Sequence, residues 1–455
     1  MVWGQRARAP TYAPRRLACR KSRPRGFPGS ERLGEAVSSS LIVEGRNVIV
    51  TEVVERAVAE RPGHDTIESI IEWLIGGARQ VGSFARTIDE LSWRLVAAGM
   101  PVLRVSLRGG TLHPQFLGAV YVWWRTSAQT QEIMITHEVA DLIPPAQNPV
   151  VRVRNGEILR RRLEGPDARL DFSVLHDLKA RGATDYFALP VGGAFGPRAY
   201  MAAYVTDRPG GFSEREIADL TAVSERLSIV ADMNSQKQIA ENVLKAYLGP
   251  NTGRKVLAGQ IRRGSGEAIA AVLWSSDLRR FTQMSDQLPG ERVIGILNDL
   301  FDVQAKAIVG RGGEILKFIG DGLLAIFPVT DPDEAVSTAI NALAAAQEAL
   351  TALGMLRARA SLAGEPPLEI VIALHYGTVI YGNVGAADRL DFTVIGPAVN
   401  LVSRIEAIAK SLDLPLIVSD DFARAHGGNL KSLGLHQLRG LDLPHELFTP
   451  LPVEG

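Results

Sequence analysis

Apolar positions follow strand and helix spacing in two separate parts of the chain. In the first part, an amphipathic stretch near residue 65 predicts a helix. Short apolar segments typical of β-strands follow it: Pro101–Leu107, Ala119–Thr126, Glu132–Thr136, Tyr186–Pro190 and Ala199–Thr206. Ser213 and Glu216 form a Ser-x-x-Glu capping box, which predicts a closing helix that runs to about Met233. This order of elements predicts an α+β domain.

The second part begins with an apolar strand, Ala270–Trp274, and an amphipathic helix from about Glu291. Two further strands, Glu314–Ile319 and Leu323–Pro328, flank a turn in which glycines surround Asp321. The two glycines favour a hairpin that leaves this carboxylate at its tip. Later, a strand over Leu390–Ile395 precedes a helix that starts with proline at residue 397.

These patterns divide the chain into four regions. Residues 1–62 are predicted to form a basic, disordered tail, because they are rich in arginine and proline. Residues 63–232 form the first domain, and residues 233–267 a helical connector that Gly249 and Pro250 break. Residues 268–455 form the second domain.

Composition excludes several classes of protein. Fifty basic residues balance fifty acidic ones among 455, so bulk charge does not point to a nucleic-acid partner. The single cysteine, Cys19, excludes a disulfide framework and fits a reducing compartment such as the cytoplasm. Uninterrupted apolar runs of eighteen residues do not occur, so we expect no membrane-spanning helix.

Two acids, Asp277 and Asp321, each follow a predicted strand. If those strands are neighbours, both carboxylates point at one spot. Such a site, without histidine or cysteine, favours Mg²⁺ or Mn²⁺ together with a phosphate ligand. The alternative is that Asp277 caps a turn and Asp321 only shapes a hairpin.

Three more polar residues are candidates for ligand contacts. Strict strand alternation places Lys317 on the same face as Ile315 and Ile319, as an edge residue or as a buried donor with a partner. Asn400 and Arg404 lie four residues apart on one helix face. They are suited to ribose and phosphate, although a solvated polar face is the ordinary alternative.

The first domain resembles the GAF-like family of sensor modules. The resemblance rests on Tyr186–Pro190, Tyr200–Val205 and the closing helix that begins after Gly-Gly-Phe-Ser-Glu at Gly210–Glu214. It implies a regulatory domain with a small-molecule ligand. A structural dimerisation domain is the alternative.

The second domain resembles the catalytic domain of class III adenylyl and guanylyl cyclases. Three motifs carry this resemblance over roughly 180 residues: Asp-Leu-Arg-Arg-Phe-Thr at Asp277–Thr282, Lys-Phe-Ile-Gly-Asp at Lys317–Asp321, and Val-Ile-Gly-Pro-Ala-Val-Asn-Leu-Val-Ser-Arg at Val394–Arg404. It implies a ferredoxin-like fold and a homodimer whose active sites lie between the two chains.

The resemblance also implies a role for each matching residue. Two metal ions, Mg²⁺ or Mn²⁺, would be held by Asp277, Leu278 and Asp321. Substrate contacts are implied at these four residues: Phe281, Thr282, Lys317 and Thr393. Asn400 would orient the ribose, and Arg404 would stabilise charge on the phosphates in the transition state.

The pair Lys317 and Thr393 is similar to the base-reading pair of adenylyl cyclases, so ATP is the expected substrate. A guanylyl cyclase and an inactive nucleotide-binding module are the rival interpretations. Two features depart from the family pattern. Arg280 replaces a glycine in the first motif, where it either adds a phosphate contact or strains the loop, and Asp391 lies close to Thr393.

Overall fold

The computed structural model describes residues 48–138, 148–192, 200–362 and 366–451. These residues divide into two compact units, the first ending at Ser235 and the second starting at Gln236. Each unit contains a β-sheet with helices packed against it. The predicted α+β class is therefore confirmed at this level.

The first unit consists of β1 (Val48–Glu55), α1 (Ile67–Gly76), α2 (Phe84–Ala97), β2 (Arg104–Gly110), β3 (Phe116–Trp124), β4 (Gln129–Thr136), α3 (Pro149–Arg154), β5 (Leu159–Arg162), α4 (Ser173–Ala180), β6 (Asp185–Val191), β7 (Tyr200–Thr206) and the start of α5 (Glu214–Leu248). Its strands form an antiparallel sheet in the order β1-β4-β3-β2-β7-β6-β5. One face packs on α1, α2 and α5, and the opposite face on α3 and α4.

Strand β1 corrects the predicted boundary of the tail. It pairs with β4, where Val48 lies opposite Ile135, and its Val54 is buried. The tail therefore ends before residue 48, and residues 1–47 lie outside the described chain. The sequence missed this strand because its partner is about eighty residues away, and a short isolated strand has no stability of its own.

The capping box forms as predicted at the start of α5. The Ser213 backbone N–H donates to the Glu216 carboxylate at 2.7 Å, and the Glu216 N–H donates to the Ser213 hydroxyl at 3.3 Å. The helix does not end near Met233, however, but continues without a break to Leu248. Gly249, with a φ of +82°, follows its last residue. The first part of the predicted connector, up to Leu248, is therefore the second half of one long helix.

The second unit continues with α6 (Pro250–Leu257), β8 (Gly266–Leu278), α7 (Phe281–Gln287), α8 (Gly290–Gly310), β9 (Glu314–Ile319), β10 (Gly322–Val329), α9 (Ala335–Leu362), β11 (Ile370–Gly385), β12 (Leu390–Ile395), α10 (Pro397–Ser411), β13 (Leu416–Ser419), α11 (Asp420–His426), β14 (Leu430–His436) and β15 (His445–Pro450). Its sheet has the order β14-β15-β13-β11-β8-β10-β9, with β12 paired to β11. The central β8-α8-β9-β10-α9-β11 segment has the βαββαβ arrangement of ferredoxin-like folds.

One described helical segment, Pro332–Ala358, is long and apolar enough to cross a membrane. Within it, Ala339, Ala342 and Ala346 are fully buried in the hydrophobic core of the second unit. Because the core helices of folded domains reach the same length and composition, we interpret this segment as the core helix α9.

Candidate active site

The two candidate metal-binding acids are brought together by the pairing of β8 with β10. Leu323 lies opposite Ser276, so the turn that holds Asp321 is beside Asp277 near the end of β8. Gly322 allows this approach, because a Cβ atom there would lie 2.9 Å from the Ser276 carbonyl oxygen and 3.4 Å from Asp277 Oδ1. The two strands are therefore neighbours. A residue bulkier than glycine at position 322 would push the turn away from the end of β8.

The proximity of the two carboxylates changes their electrostatics. Burial raises the pKa of Asp321, and the negative charge of Asp277 raises it further. A cation at this place would offset both effects. No set of three or more histidine, cysteine or acidic residues suited to a metal occurs in the described ranges. The chemistry of the two acids therefore fits a metal ion that takes its remaining ligands from phosphate oxygens and water.

The protein itself places a cation here, which the sequence analysis missed. The Lys410 ammonium donates to Asp277 Oδ2 and lies 3.2 Å from Glu406 Oε1, and the second oxygen of Glu406 accepts from Ser275 at 2.5 Å. Burial alone would lower the pKa of Lys410, but its contacts with Asp277 and Glu406 outweigh burial and raise it. The only signal in the sequence was the four-residue spacing of Glu406 and Lys410, which is common on exposed helices.

We expect Lys410 to compete with divalent cations for Asp277. Lys410→Met should bind Mn²⁺ about fivefold more tightly than the wild type, if the competing ion pair is worth about 1 kcal/mol. Free Mn²⁺ measured by electron paramagnetic resonance in a nucleotide-free titration provides the affinity. Lys306→Met is the matched control, because Lys306 is exposed and pairs with Asp302 on α8. Equal affinities for the wild type and Lys410→Met would contradict the competition.

The first motif leaves the end of β8 through a strained residue. Arg280 has left-handed backbone angles, with φ +58° and ψ +27°, which cost a residue other than glycine about 1 kcal/mol. Of the two interpretations of Arg280, the structure thus supports loop strain. Leu278 is 3% exposed and its side chain has no metal-binding atom, so its backbone carbonyl is the only group that could serve as a ligand. Phe281 begins α7 and is half-buried, whereas Thr282 is exposed.

Lys317 does not share a face with Ile315, because β9 contains a bulge. Lys317 pairs with Leu324 and Ile315 with Ala325, so Leu316 is an extra residue that breaks the alternation. The bulge turns Lys317 toward β12, where its ammonium donates to Asp391 Oδ2 at 2.9 Å. The prediction of one shared face was therefore wrong for Ile315, whereas the regular register from Lys317 to Ile319 keeps those two residues on one face.

Thr393 lies two residues after Asp391 on β12, on the same face of the strand. Its side chain is buried, with the residue 6% exposed, and its hydroxyl oxygen has no hydrogen-bond partner in the described part of the chain. Buried hydroxyl groups normally have a partner. An unpaired hydroxyl beside the Lys317–Asp391 pair is therefore suited to a ligand contact.

Asn400 and Arg404 lie on a different side of α10 from the residues that reach Asp277. Val402, Ile405 and Ala409 bury the core-facing side of this helix. At about 100° per residue, Arg404 is roughly 200° around the helix from Glu406. Asn400 is exposed and Arg404 is half-buried, and neither has a hydrogen bond or ion pair within the described residues. Within one chain, Asn400 and Arg404 therefore lie on a different side of α10 from the residues that contact the acidic pair.

His375 is a buried residue with a partner inside the protein. It is 3% exposed on β11, and its Nδ1 atom is 2.8 Å from the Ser419 hydroxyl. Burial lowers its pKa to about 4, and the nearby charge of Asp421 only partly opposes this shift. The ring is therefore neutral in the folded protein near neutral pH.

This pKa predicts a pH-dependent stability. In the unfolded chain the imidazole titrates near 6.5, so between that pH and about pH 4 the unfolded state binds more protons. The contribution of the neutral His375 ring to the free energy of unfolding is complete above pH 6.5. It is lost as the pH falls toward 4, by about 3 kcal/mol in total. His375→Asn should lack this decrease when denaturant unfolding of the wild type and variant is compared at pH 7.5 and 4.5. A parallel decrease in both proteins would contradict the assignment.

Comparisons with known proteins agree with this geometry. The family model for the adenylate and guanylate cyclase catalytic domain matches residues 267–422. An adenylate cyclase from Anabaena cylindrica is 32% identical over 222 residues, which are 46% of this chain and 43% of that protein. This chain therefore spans less than half the length of that relative.

Two solved structures are also similar to this chain. The adenylyl cyclase CyaB from P. aeruginosa is 26% identical, with a TM-score of 0.38, and the match covers 41% of this chain and 96% of that one. The guanylyl cyclase Cya2 is 29% identical, with a TM-score of 0.37, and the match covers 42% of this chain and 97% of that one.

Residues 267–422 therefore match the adenylate and guanylate cyclase catalytic domain, the family that the three motifs predicted. The matched segment contains Asp277, Asp321, Lys317, Asn400 and Arg404. The family match does not reach the first unit, so its GAF-like interpretation stays a prediction.

Proposed function

We propose that the protein is an adenylate cyclase, which converts ATP into 3′,5′-cyclic AMP and pyrophosphate. The observation that carries this proposal is the pairing of β8 with β10, which places Asp277 beside Asp321 within the cyclase domain. Incubation of purified full-length protein with ATP or GTP, in Mg²⁺ or Mn²⁺, tests it by chromatography of the cyclic nucleotides. Cyclic GMP as the main product would favour a guanylyl cyclase, and absence of both products would favour an inactive nucleotide-binding module.

Residues of this chain would divide the work of cyclisation. The ribose 3′-hydroxyl attacks the α-phosphorus, the bond from that phosphorus to the pyrophosphate oxygen breaks, and the hydroxyl proton leaves to solvent. Two divalent ions held by Asp277, Asp321 and the Leu278 carbonyl would neutralise the triphosphate and lower the pKa of the attacking hydroxyl. Asn400 positions the ribose, and Arg404 stabilises negative charge on the phosphates as the bond breaks. The backbone around Phe281 and Thr282 would contact the triphosphate.

Base selection in this proposal depends on a donor and acceptor set on β9 and β12. Lys317 donates to the N1 acceptor of adenine, and Thr393 contacts the exocyclic amino group. Asp391 orients Lys317, because the two side chains are already joined at 2.9 Å. Guanine presents a donor at N1, so the ammonium of Lys317 disfavours it.

We expect Lys317→Glu to lower the ratio of ATP to GTP turnover about tenfold or more. The variant replaces a donor by an acceptor opposite adenine N1, and an unpaired polar partner typically costs about 1–3 kcal/mol. Parallel kcat/KM measurements with both nucleotides give the ratio. Lys431→Glu, at an exposed position on β14, makes the same change of charge and should leave the ratio unchanged. An unaltered ratio in Lys317→Glu would remove Lys317 from the base pocket.

A homodimer completes the site in this proposal. Asn400 and Arg404 face away from the sheet, while Asp277 lies near the other end of α10, where Lys410 reaches it. Lys410 follows Asn400 by ten positions, which correspond to about 15 Å along the helix axis. A nucleotide bound by the acids of one chain is therefore suited to meet Asn400 and Arg404 of a second chain.

The surface of α5 also fits a symmetric dimer. A stripe of exposed residues repeats with alternating spacings of four and three residues: Ile229, Met233, Gln236, Ala240, Val243 and Tyr247. This spacing is typical of the contact positions of a two-stranded coiled coil. Exposed apolar side chains at these positions would be buried if the helix paired with a second one. Pairing of α5 with its copy would link the first unit to the cyclase domain, in agreement with a regulatory role.

A further inference from the structure

The first unit contains a group of arginine side chains on the sheet face beneath α3 and α4. Arg104 and Arg108 are four residues apart on β2, an even spacing that places them on the same face. Their cross-strand neighbours Trp124 and Met201 belong to the hydrophobic cluster that α3 and α4 cover. Arg154 ends α3, and Arg181 follows the last residue of α4.

Arg104 is buried without a negative partner among the residues that the structure describes. It is 5% exposed, its Nη1 donates to the Ser106 hydroxyl at 2.9 Å, and its guanidinium lies 5.4 Å from the Trp124 ring centroid. No carboxylate in the described ranges forms an ion pair with Arg104 or Arg108. Because arginine stays protonated, a buried guanidinium is normally paired with an acid or a bound anion.

The nearest charges make this burial more costly. Burial, together with the positive charges of Arg108 and Arg181, lowers the pKa of Arg104 to about 9. Burial also lowers the pKa of Arg108, and Arg154 adds to that effect. The Nε atom of Arg154 is buried and has no hydrogen-bond partner among the described residues.

Other arginines of the same unit show the usual arrangement. Arg56 Nε lies 2.6 Å from Oδ2 of the buried Asp89, and Arg160 Nη2 lies 3.2 Å from Oδ2 of the buried Asp185. The C-terminal ends of α3 and α4 partly offset the charges of Arg154 and Arg181. Arg104 and Arg108 lie on a strand and receive no such compensation, so the described part of the chain supplies no counter-ion at β2.

We propose that Arg104, Arg108 and Arg154 form the binding site of a small anion that carries carboxylate or phosphate groups and at least two negative charges. Its size is limited, since α3 and α4 cover this face of the sheet. The charge follows from the three guanidinium groups that it neutralises. Trp124 and Tyr186, both buried beside the cluster, supply apolar and hydroxyl contacts. Binding does not depend on the proposed cyclase activity.

Thermal unfolding of the full-length protein tests this site, with inorganic phosphate and citrate as probes at constant ionic strength in chloride. Each probe that binds should raise the Tm of the first unit in the wild-type protein by about 3 °C or more at saturation. Arg108→Gln and Arg154→Gln should require at least tenfold more anion for the same shift. Arg86→Gln is the matched control, because it removes an exposed arginine on α2 and should respond like the wild type.

Arg104→Met gives a second, opposite readout. After dialysis to remove co-purified anions, in chloride buffer without phosphate or citrate, this variant should unfold at the same temperature as the wild type or higher, because it removes a buried charge that has no counter-ion there. A lower Tm would mean that Arg104 has a partner within the protein, and would overturn the proposal. Mass spectrometry of small molecules released from the purified wild type should detect an anion that Arg108→Gln lacks.

Two further results would also overturn the site. One is an equal anion response in the wild type, Arg108→Gln and Arg154→Gln. The other is the absence of both a co-purified anion and any Tm shift with either probe. An anion-dependent change in cyclic AMP production would connect the site to the proposed function. A Tm shift without cyclase activity would leave the site standing and remove the proposed function.

Discussion

Asp277→Asn or Asp321→Asn is expected to reduce cyclic AMP formation by a factor of about 10²–10³ or more. Each change removes a negative charge from the pair without changing the size of the side chain. Asp321 lies in a turn and Asp277 near the end of β8, so neither contributes much to packing. Initial rates with saturating ATP and Mn²⁺ measure the effect, and circular dichroism verifies the fold.

Asp302→Asn serves as the control for this prediction. Asp302 is an exposed acid on α8 that pairs with Lys306 at 3.6 Å. Its removal should leave the rate within about twofold of wild type, since exposed ion pairs contribute little. Near wild-type turnover by a folded Asp277→Asn or Asp321→Asn protein would remove the acidic pair from the reaction.

Mixing two inactive variants should restore activity if each site is shared between two chains. Asp277→Ala lacks the acid in both sites of a homodimer, and Arg404→Ala lacks the arginine in both sites. A heterodimer of the two carries both defects in one site and neither defect in the other. The second site has a wild-type composition, so cyclic AMP formation should return.

The size of the recovery is fixed by twofold symmetry. Random exchange makes half of the dimers heterodimers, each with one intact site of two, so activity should reach at most about a quarter of wild type. Subunit exchange is followed with differently tagged chains. An Asp277→Ala and Asp321→Ala mixture is the matched control, because both defects lie in the same half-site and no intact site can form. Failure to recover activity despite proven exchange would mean that each site lies within one chain.

Elements with strong local signals were predicted well from the sequence. The capping box at Ser213, the strand Leu390–Ile395 and the helix after Gly396 occur where local pattern and turn chemistry placed them. In these segments residues close in sequence determine the structure. The acidic pair also followed from local signals, because each acid comes at the end of an apolar strand.

Features that depend on distant partners were decided only by tertiary structure. Strand β1 needs β4 to bury its valines, and the bulge at Leu316 is visible only once β9 is aligned with β10. Lys410 reaches Asp277 across 133 residues of sequence, so no local pattern reveals their contact.

The sequence by itself therefore determined the class of the second unit and the residue types of its site. Motif spacing carries that information, since the site needs particular side chains in a particular order. Tertiary structure decided which charges meet: Lys410 with Asp277, Lys317 with Asp391, and Arg104 with other arginines. The physical reason is that electrostatic interactions depend on distance and burial in space, and both are set only when strands far apart in the chain pair and helices cover them.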